Sequence, residues 1–392
     1  MSGKTVLSGV RVLEYASGLE GSYCGKLLAA LGGEVIKVEP PEGDRERMAG
    51  PFVGQTPDKE KSIPFLYANF GKKSVCLDVK EPEGRAALLK LVAQSDVFIT
   101  YPDSSDPQWP NFQWEELSAL RPDLIWLDLT PVGSTGPYRD YKCYPLTLSH
   151  MSGLTITYPL GSPDLTRPPI MLAARFEEYD LGVMAAVGLM AALFHRARTG
   201  VGQHVELSSL ATRIQLSATE NTIYAQYGAV VERRGINRRQ TAAPIYRCKD
   251  GYLCPFFSQQ REYDRLAEML GHSEWLEPDH WYQKKLERIA HVQEVIDAVS
   301  DWAKDKTKAD VTVLARQYKL PITAAVTPGE VVEMEQFKVR NFFSDVEQPG
   351  CGTVRTVGRP FVMEETPCLE QMPAPKLGEH NDVYLEEGVH HA

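Results

Sequence analysis

The sequence predicts an α/β fold: an open, mostly parallel sheet with helices on both faces, joined to a smaller α+β domain. Short strand-like runs alternate with helical patterns through the first 130 residues, the signature of a parallel sheet with crossover helices. A long apolar helical segment then starts at Phe176 and ends in a Gly turn before another strand. From about 240 to 325 the texture changes to a hairpin and several helical patterns. The expected division is 1–230 for the N-terminal part of the large domain, 231–328 for the small domain and 329–392 for a return to the large one.

Val10 to Glu14 reads as the first strand, Ser22 to Gly32 as a helix with Ser22 at its N-cap, and Glu34 to Glu39 as the second strand, ended by Pro40-Pro41. No Gly-x-Gly-x-x-Gly follows the first strand, so the usual dinucleotide fingerprint is absent. Residues 43–66 read as a loop. Ser74 to Asp78 is a strand, Glu83 to Gln94 a helix, and Asp96 to Ile99 and Leu124 to Leu129 are further strands. Residues 209–230 have a helical pattern, and Glu232 to Arg239 is a basic connection that reads as a solvated linker, with anion binding as the alternative. Ile245 to Cys248 and Tyr252 to Pro255 flank an Asp-Gly hairpin turn. Helical patterns follow at 260–270, 291–305 and 308–318, and Gly352 to Val357 is strand-like.

Composition narrows the function classes. With 43% hydrophobic and 24% charged residues the chain looks like an ordinary soluble globular protein. A net charge of -10 argues against nucleic-acid binding, which needs a basic face. Met1 to Thr5 lack a signal peptide's apolar core, and the apolar run 181–194 falls short of the roughly 20 residues that span a bilayer. A cytoplasmic protein with no membrane partner is expected. The seven cysteines are scattered without a Cys-x-x-Cys pair, which favours reduced thiols over disulfides or a zinc site.

The segment from Phe176 holds the strongest chemical signal. Glu177, Glu178 and Asp180 crowd one helical turn, fourteen uncharged residues follow, and Arg198 to Gln203 closes the helix. Acids complement the positive end of a helix dipole and bases its negative end. A carboxylate at the N-terminus of a buried helix is a candidate catalytic group.

Several ordered motifs then carry a resemblance to a known family. They are Leu7 to Glu14, Leu31 to Glu39, Asn69 to Ser74, Thr135 to Tyr138, Met151 to Gly153, Arg198 to Gln203 and Pro373 to His380. Over nearly its whole length the chain resembles the class III CoA-transferases, the group with formyl-CoA transferase, carnitine CoA-transferase and α-methylacyl-CoA racemase. The resemblance implies a Rossmann-like large domain, a small domain and an interlocked dimer. It implies CoA thioesters as substrates, with no permanently bound cofactor. In the family's transferases an Asp at the start of the central helix attacks the thioester, giving an anhydride and then an aspartyl-CoA thioester, from which a second carboxylate takes the CoA. Lys72 and Lys142 match lysines that contact CoA in the family.

The chain departs from that pattern at the decisive position. Gly182 and Gly188 fix the register and put Glu178 where the family has Asp. Asp180 would need a slip of two residues, about 200° around the helix. Glu178 carries its carboxylate one carbon–carbon bond, about 1.5 Å, further out, and a misplacement near 1 Å can cost ~100-fold in a near-attack geometry. Residues 100–110 also diverge: Asp103 stands where an Arg is common and Trp109 where a second would be, and Asp103 and Asp106 would repel a polyanion. Bulky Phe256-Phe257 replaces a mobile lid. The racemase's His aligns with Tyr144, and His150 reads as a core or interface residue. The leading expectation is a non-catalytic subunit paired with an active homologous subunit. The alternatives are a homodimeric transferase using Glu178 and a CoA-thioester racemase or isomerase.

Overall fold

The computed structural model describes residues 5–102, 109–159, 164–216, 218–231, 233 and 244–385. Asp103 and Asp106, and all of the 232–239 connection but Arg233, lie outside these residues. The chain divides into two compact units. The larger comprises 1–158, 169–232 and 338–392; the smaller comprises 159–168 and 233–337.

The larger unit is built on six parallel strands in the order β3-β2-β1-β4-β5-β6. They are β1 (Arg11–Ala16), β2 (Glu34–Glu39), β3 (Lys73–Cys76), β4 (Val97–Tyr101), β5 (Ile125–Thr130) and β6 (Gln203–Ser208). Their helices are α1 (Leu19–Ala30), α2 (Ile63–Asn69), α3 (Pro82–Ala93), α4 (Trp114–Leu120), α5 (Pro145–Met151) and α6 (Phe176–Thr199). Alternation along each strand feeds two cores. Val12, Val35, Ile99 and Leu127 meet α1 and α6 on one face. Leu13, Ile36, Phe98 and Trp126 form the opposite core with α3 and α4. Doubly wound sheets of this strand order bind ligands outside the carboxyl ends of their strands.

Helix α1 starts three residues before the expected Ser22. Gly18, at φ 88°, makes the turn out of β1, and the Ser22 hydroxyl lies inside the helix, where it accepts from Lys37 Nζ at 3.0 Å. The 43–66 stretch holds two short 3-10 turns, Arg45–Met48 and Val53–Gln55, and the start of α2. Seven-residue helices such as α2, α4 and α5 are too short to set up a clear 3.6 period.

Helix α6 is long and apolar enough to cross a membrane by length and composition alone. It instead lays Leu181, Ala185, Leu189 and Ala192 into the sheet core beside α1. Gly182 explains the closeness of that contact: a Cβ there would meet Tyr23 Cβ at 2.9 Å and the Glu20 carbonyl at 3.0 Å. A helical pair, α7 (Ser209–Leu216) and α8 (Ala218–Tyr227), continues from β6.

The smaller unit has a three-stranded antiparallel sheet, β7 (Tyr246–Cys248), β8 (Gly251–Pro255) and β9 (Ile322–Ala325). Its helices include α9 (Gln260–Leu270), α10 (Lys285–Ala290), α11 (Val292–Ala303) and α12 (Lys308–Gln317). Phe257 is buried in this unit's core and its neighbour Phe256 is exposed. The tail returns to the larger unit with the hairpin β10 (Phe343–Gln348) and β11 (Gly352–Val357). Val346 of that hairpin and Ala374 beyond it pack on Leu66 and Phe70 of the α2 region.

Candidate functional site

The first turn of α6 gathers charged side chains from four parts of the larger unit. Ala174 and Arg175 precede it with φ of 63° and 57°, both in the left-handed region that non-glycine residues avoid. This backbone turns the Arg175 side chain back over the helix start. Its Nε donates to Glu178 Oε1 at 2.7 Å and its Nη2 donates to Glu178 Oε2. The same guanidinium donates from Nη1 to Glu46 Oε2 at 2.6 Å and from Nη2 to Glu46 Oε1 at 2.8 Å. Glu178 is buried, and so is Glu46, which sits on the 3-10 turn after β2. Burial works against the charge on Arg175, but its hydrogen bonds to Glu46 and Glu178 outweigh that and hold its pKa above the usual value.

Glu177 points the other way. It accepts from Ser149 Oγ at 2.7 Å and from Arg213 Nε at 2.6 Å, which ties α6 to α5 and α7. Asp180 is half-buried, and its Oδ2 has no hydrogen-bond partner. Burial first, and then the charge of Glu177, raise its pKa.

Sequence reasoning missed Glu20, on the first turn of α1. It is 1% exposed, with Oε1 accepting from Tyr101 Oη at 3.3 Å and Oε2 at 3.6 Å from Arg45 Nη2. Burial, followed by the charge of Glu178, lifts its pKa to about 7. Arg45 also approaches Glu46 at 3.8 Å. Acids and bases therefore alternate through the site as Glu20, Arg45, Glu46, Arg175 and Glu178. Only the Arg175–Glu178 pair, three residues apart on one helix start, is visible in the sequence. Glu46 meets Arg175 across 129 positions, and no local pattern reports that.

Beside Glu178 the structure leaves a cavity of about 10 Å³, lined by Pro145, Met171, Leu172, Arg175, Phe176, Glu177 and Arg213. That is about the room one water needs. A larger cleft of about 350 Å³ opens at the carboxyl ends of β1, β2 and β3. Its walls include Glu42, Asp44 and Asp78 against Arg45 and Lys80, and Trp109, which stacks on Tyr15 at 4.4 Å. Lys37 neutralises Asp44 at 2.8 Å, which leaves Glu42 and Asp78 against Arg45 and Lys80 with no surplus of positive charge.

The other sequence-selected residues are widely spread. Lys72 is buried and donates to both Glu14 oxygens, at 3.1 and 2.8 Å, to the Ser22 carbonyl at 2.7 Å and to Asn69 Oδ1 at 2.9 Å. An ammonium has three protons to give, so these internal partners saturate it. The role expected for it, contact with CoA, meets a lysine spent on neutralising Glu14. Lys142 is exposed, next to the paired rings of Tyr138 and Tyr141. Tyr144 and His150 are exposed on and before α5, and His150 Nδ1 is 2.9 Å from the Leu146 carbonyl oxygen. His150 is thus not a core residue of this chain.

The strand order and the carboxylates at the start of α6 define a doubly wound α/β protein with an acid-rich site at a helix N-terminus. Its family follows from comparison with known proteins. The model of CoA-transferase family III matches residues 7–381, and the chain belongs to that family. It is 31% identical over 390 residues to succinate–glutarate CoA-transferase of Agrobacterium fabrum, covering 98% of this chain and 96% of that protein. It is 30% identical over 401 residues to the beta subunit of succinyl-CoA–L-malate CoA-transferase of Chloroflexus aurantiacus, covering 97% and 93%. Among solved structures, a CaiB/BaiF family protein from Brucella suis matches with a TM-score of 0.83 at 28% identity, covering 97% of this chain and 98% of that one.

Proposed function

We propose that this chain is the non-catalytic subunit of a heteromeric class III CoA-transferase. A homologous subunit would carry the nucleophile that moves CoA from an acyl-CoA to a second carboxylate. The observation that carries this reading is the state of Glu178. Both of its oxygens accept charge-assisted hydrogen bonds from Arg175, in a buried site with room for about one water. A carboxylate so held has one lone pair of each oxygen engaged and its charge offset by the guanidinium, which makes it a weaker nucleophile toward a thioester.

Succinyl-CoA is the proposed donor, since the names of several relatives specify succinyl transfer. Benzylsuccinate is the proposed acceptor, as in the two-subunit succinyl-CoA:benzylsuccinate CoA-transferase. One observation favours the second reading, a homodimer using Glu178. The residue sits buried at the start of a 24-residue helix, where the helix dipole stabilises a carboxylate.

The test is Glu178→Ala in the chain co-expressed with a homologous subunit that carries Asp at the start of this helix. Transferase activity of the reconstituted heteromer is expected to stay within about twofold of native, because a residue off the reaction path contributes nothing to transition-state binding. Full activity from the purified chain alone, abolished by the same substitution, would overturn the proposal in favour of the homodimer.

A further inference from the structure

Resting on the reading that Glu178 does not react in the native chain, we infer that Arg175 is the positioning residue that keeps it unreactive: it masks a carboxylate that stands in the attacking position. Four features converge on this residue. Its guanidinium occupies both oxygens of Glu178. A second carboxylate, Glu46, anchors the same guanidinium along its adjacent Nη1–Nη2 edge through two further hydrogen bonds, so the clamp does not swing away with Glu178. Two consecutive non-glycine residues with positive φ aim the side chain, a conformation that persists only when its surroundings enforce it. Arg175 is also a wall of the one-water cavity, so the group that blocks the carboxylate electronically also closes the space a thioester would enter.

Removing the clamp opens a defined reaction. A free Glu178 oxygen attacks the carbonyl carbon of an acyl-CoA. The new C–O bond forms as the C–S bond breaks, and the electron pair leaves with the CoA thiolate, giving a mixed anhydride. The thiolate then attacks the glutamyl carbonyl, releasing the acyl group as a carboxylate and leaving a glutamyl-CoA thioester on the chain. No oxidant or external proton donor is needed.

The experiment incubates the full chain, in its heteromer, with succinyl-CoA, followed by borohydride reduction and peptide mass analysis of residue 178. Native chain is expected to show no modified Glu178. Arg175→Gln is expected to show it at least about 10- to 100-fold above that background, the scale of one or two charge-assisted hydrogen bonds released. The signal should vanish in Arg175→Gln/Glu178→Ala. Because Arg175→Gln leaves two buried carboxylates facing each other, Arg175→Gln/Glu46→Gln is run beside it and keeps the fold with one charge fewer. A folded variant, by its circular-dichroism melt, that forms no adduct overturns the inference. Modification of Glu178 at full level in the native chain overturns the reading under Proposed function instead, and with it the need for a mask.

Discussion

At the scale of single residues the site holds more acid than base, and Glu20 absorbs the excess. Three carboxylates of the alternating series face two guanidiniums, and burial, followed by the charge of Glu178, lifts the Glu20 pKa to about 7 even with Arg45 Nη2 3.6 Å away. The direction sets the pH dependence. Below the ordinary value of 4.5 Glu20 is neutral in both folded and unfolded chains. Between 4.5 and about 7 the unfolded chain ionises and the folded one does not, so stability falls as pH rises through that window. Above it the loss is complete. Glu20→Gln, neutral at every pH, is expected to flatten this slope and to gain on the order of 1–3 kcal/mol near pH 8. Urea midpoints of both proteins at about pH 4 and pH 8 measure it. An identical pH slope in native and Glu20→Gln would show that Glu20 is already ionised in the fold. The register of Gly182 and Gly188 picked out Glu178 in the sequence, but nothing there indicated that α1 would bring Glu20 to it. That meeting depends on how tightly two helices pack, a property of three dimensions.

At the scale of elements, the two register glycines of α6 differ in a way their spacing hides. A Cβ at Gly182 would lie within 3.0 Å of Tyr23 and the Glu20 carbonyl, whereas one at Gly188 would meet Val205 at 3.8 Å. Gly182→Ala therefore forces α1 and α6 apart and is expected to cost about 1–3 kcal/mol. Gly188→Ala adds a methyl group in ordinary contact and removes a mid-helix glycine, for an expected gain of about 0.5–1 kcal/mol. Thermal midpoints of the two variants decide it, and equal losses would mean that both glycines serve the same contact. Most strands and long helices were legible because their periods are strong: β2, α9 and the start of α6 lie where the pattern puts them. Strands β9 and β10 were not, since one is only four residues long and the other carries Ser344, Asp345 and Glu347. The β3-β2-β1-β4-β5-β6 order has no local sequence signal at all; the handedness of crossovers narrows the possible orders without choosing among them.

At the scale of the whole chain, four of the motifs that carried the family resemblance, Leu7 to Glu14, Leu31 to Glu39, Asn69 to Ser74 and Pro373 to His380, meet in buried charge networks. Glu14 and Lys37 face each other across the β1–β2 register, and Lys37 also pairs with Asp44 at 2.8 Å, while Lys72 closes on Glu14. Arg47 donates to both oxygens of Glu39, at 2.6 and 2.8 Å, to Glu60 at 2.9 Å and to the Pro375 carbonyl at 3.1 Å. Gly378 N donates to Ser74 Oγ, which donates to Glu39. Residues near both ends of the chain are thus joined through one carboxylate, Glu39. Sequence reasoning recognised these segments but gave Lys72 to the ligand, because a lysine's partner is invisible until the strands are paired. Arg47→Met tests the network. It keeps the volume over Phe65, whose ring lies 3.8 Å from the guanidinium, but strands Glu39 as a buried charge. The expected cost is about 3–5 kcal/mol, the scale for breaking a buried pair from one side. Arg47→Met/Glu39→Gln removes both charges and should recover most of it, because the desolvated ion is gone. Denaturant midpoints give the energies, and limited proteolysis beyond residue 372 reports whether the tail loosens with the single variant. If Arg47→Met costs no more than the double variant, Glu39 is neutralised by something other than Arg47, and the two ends are held by packing alone.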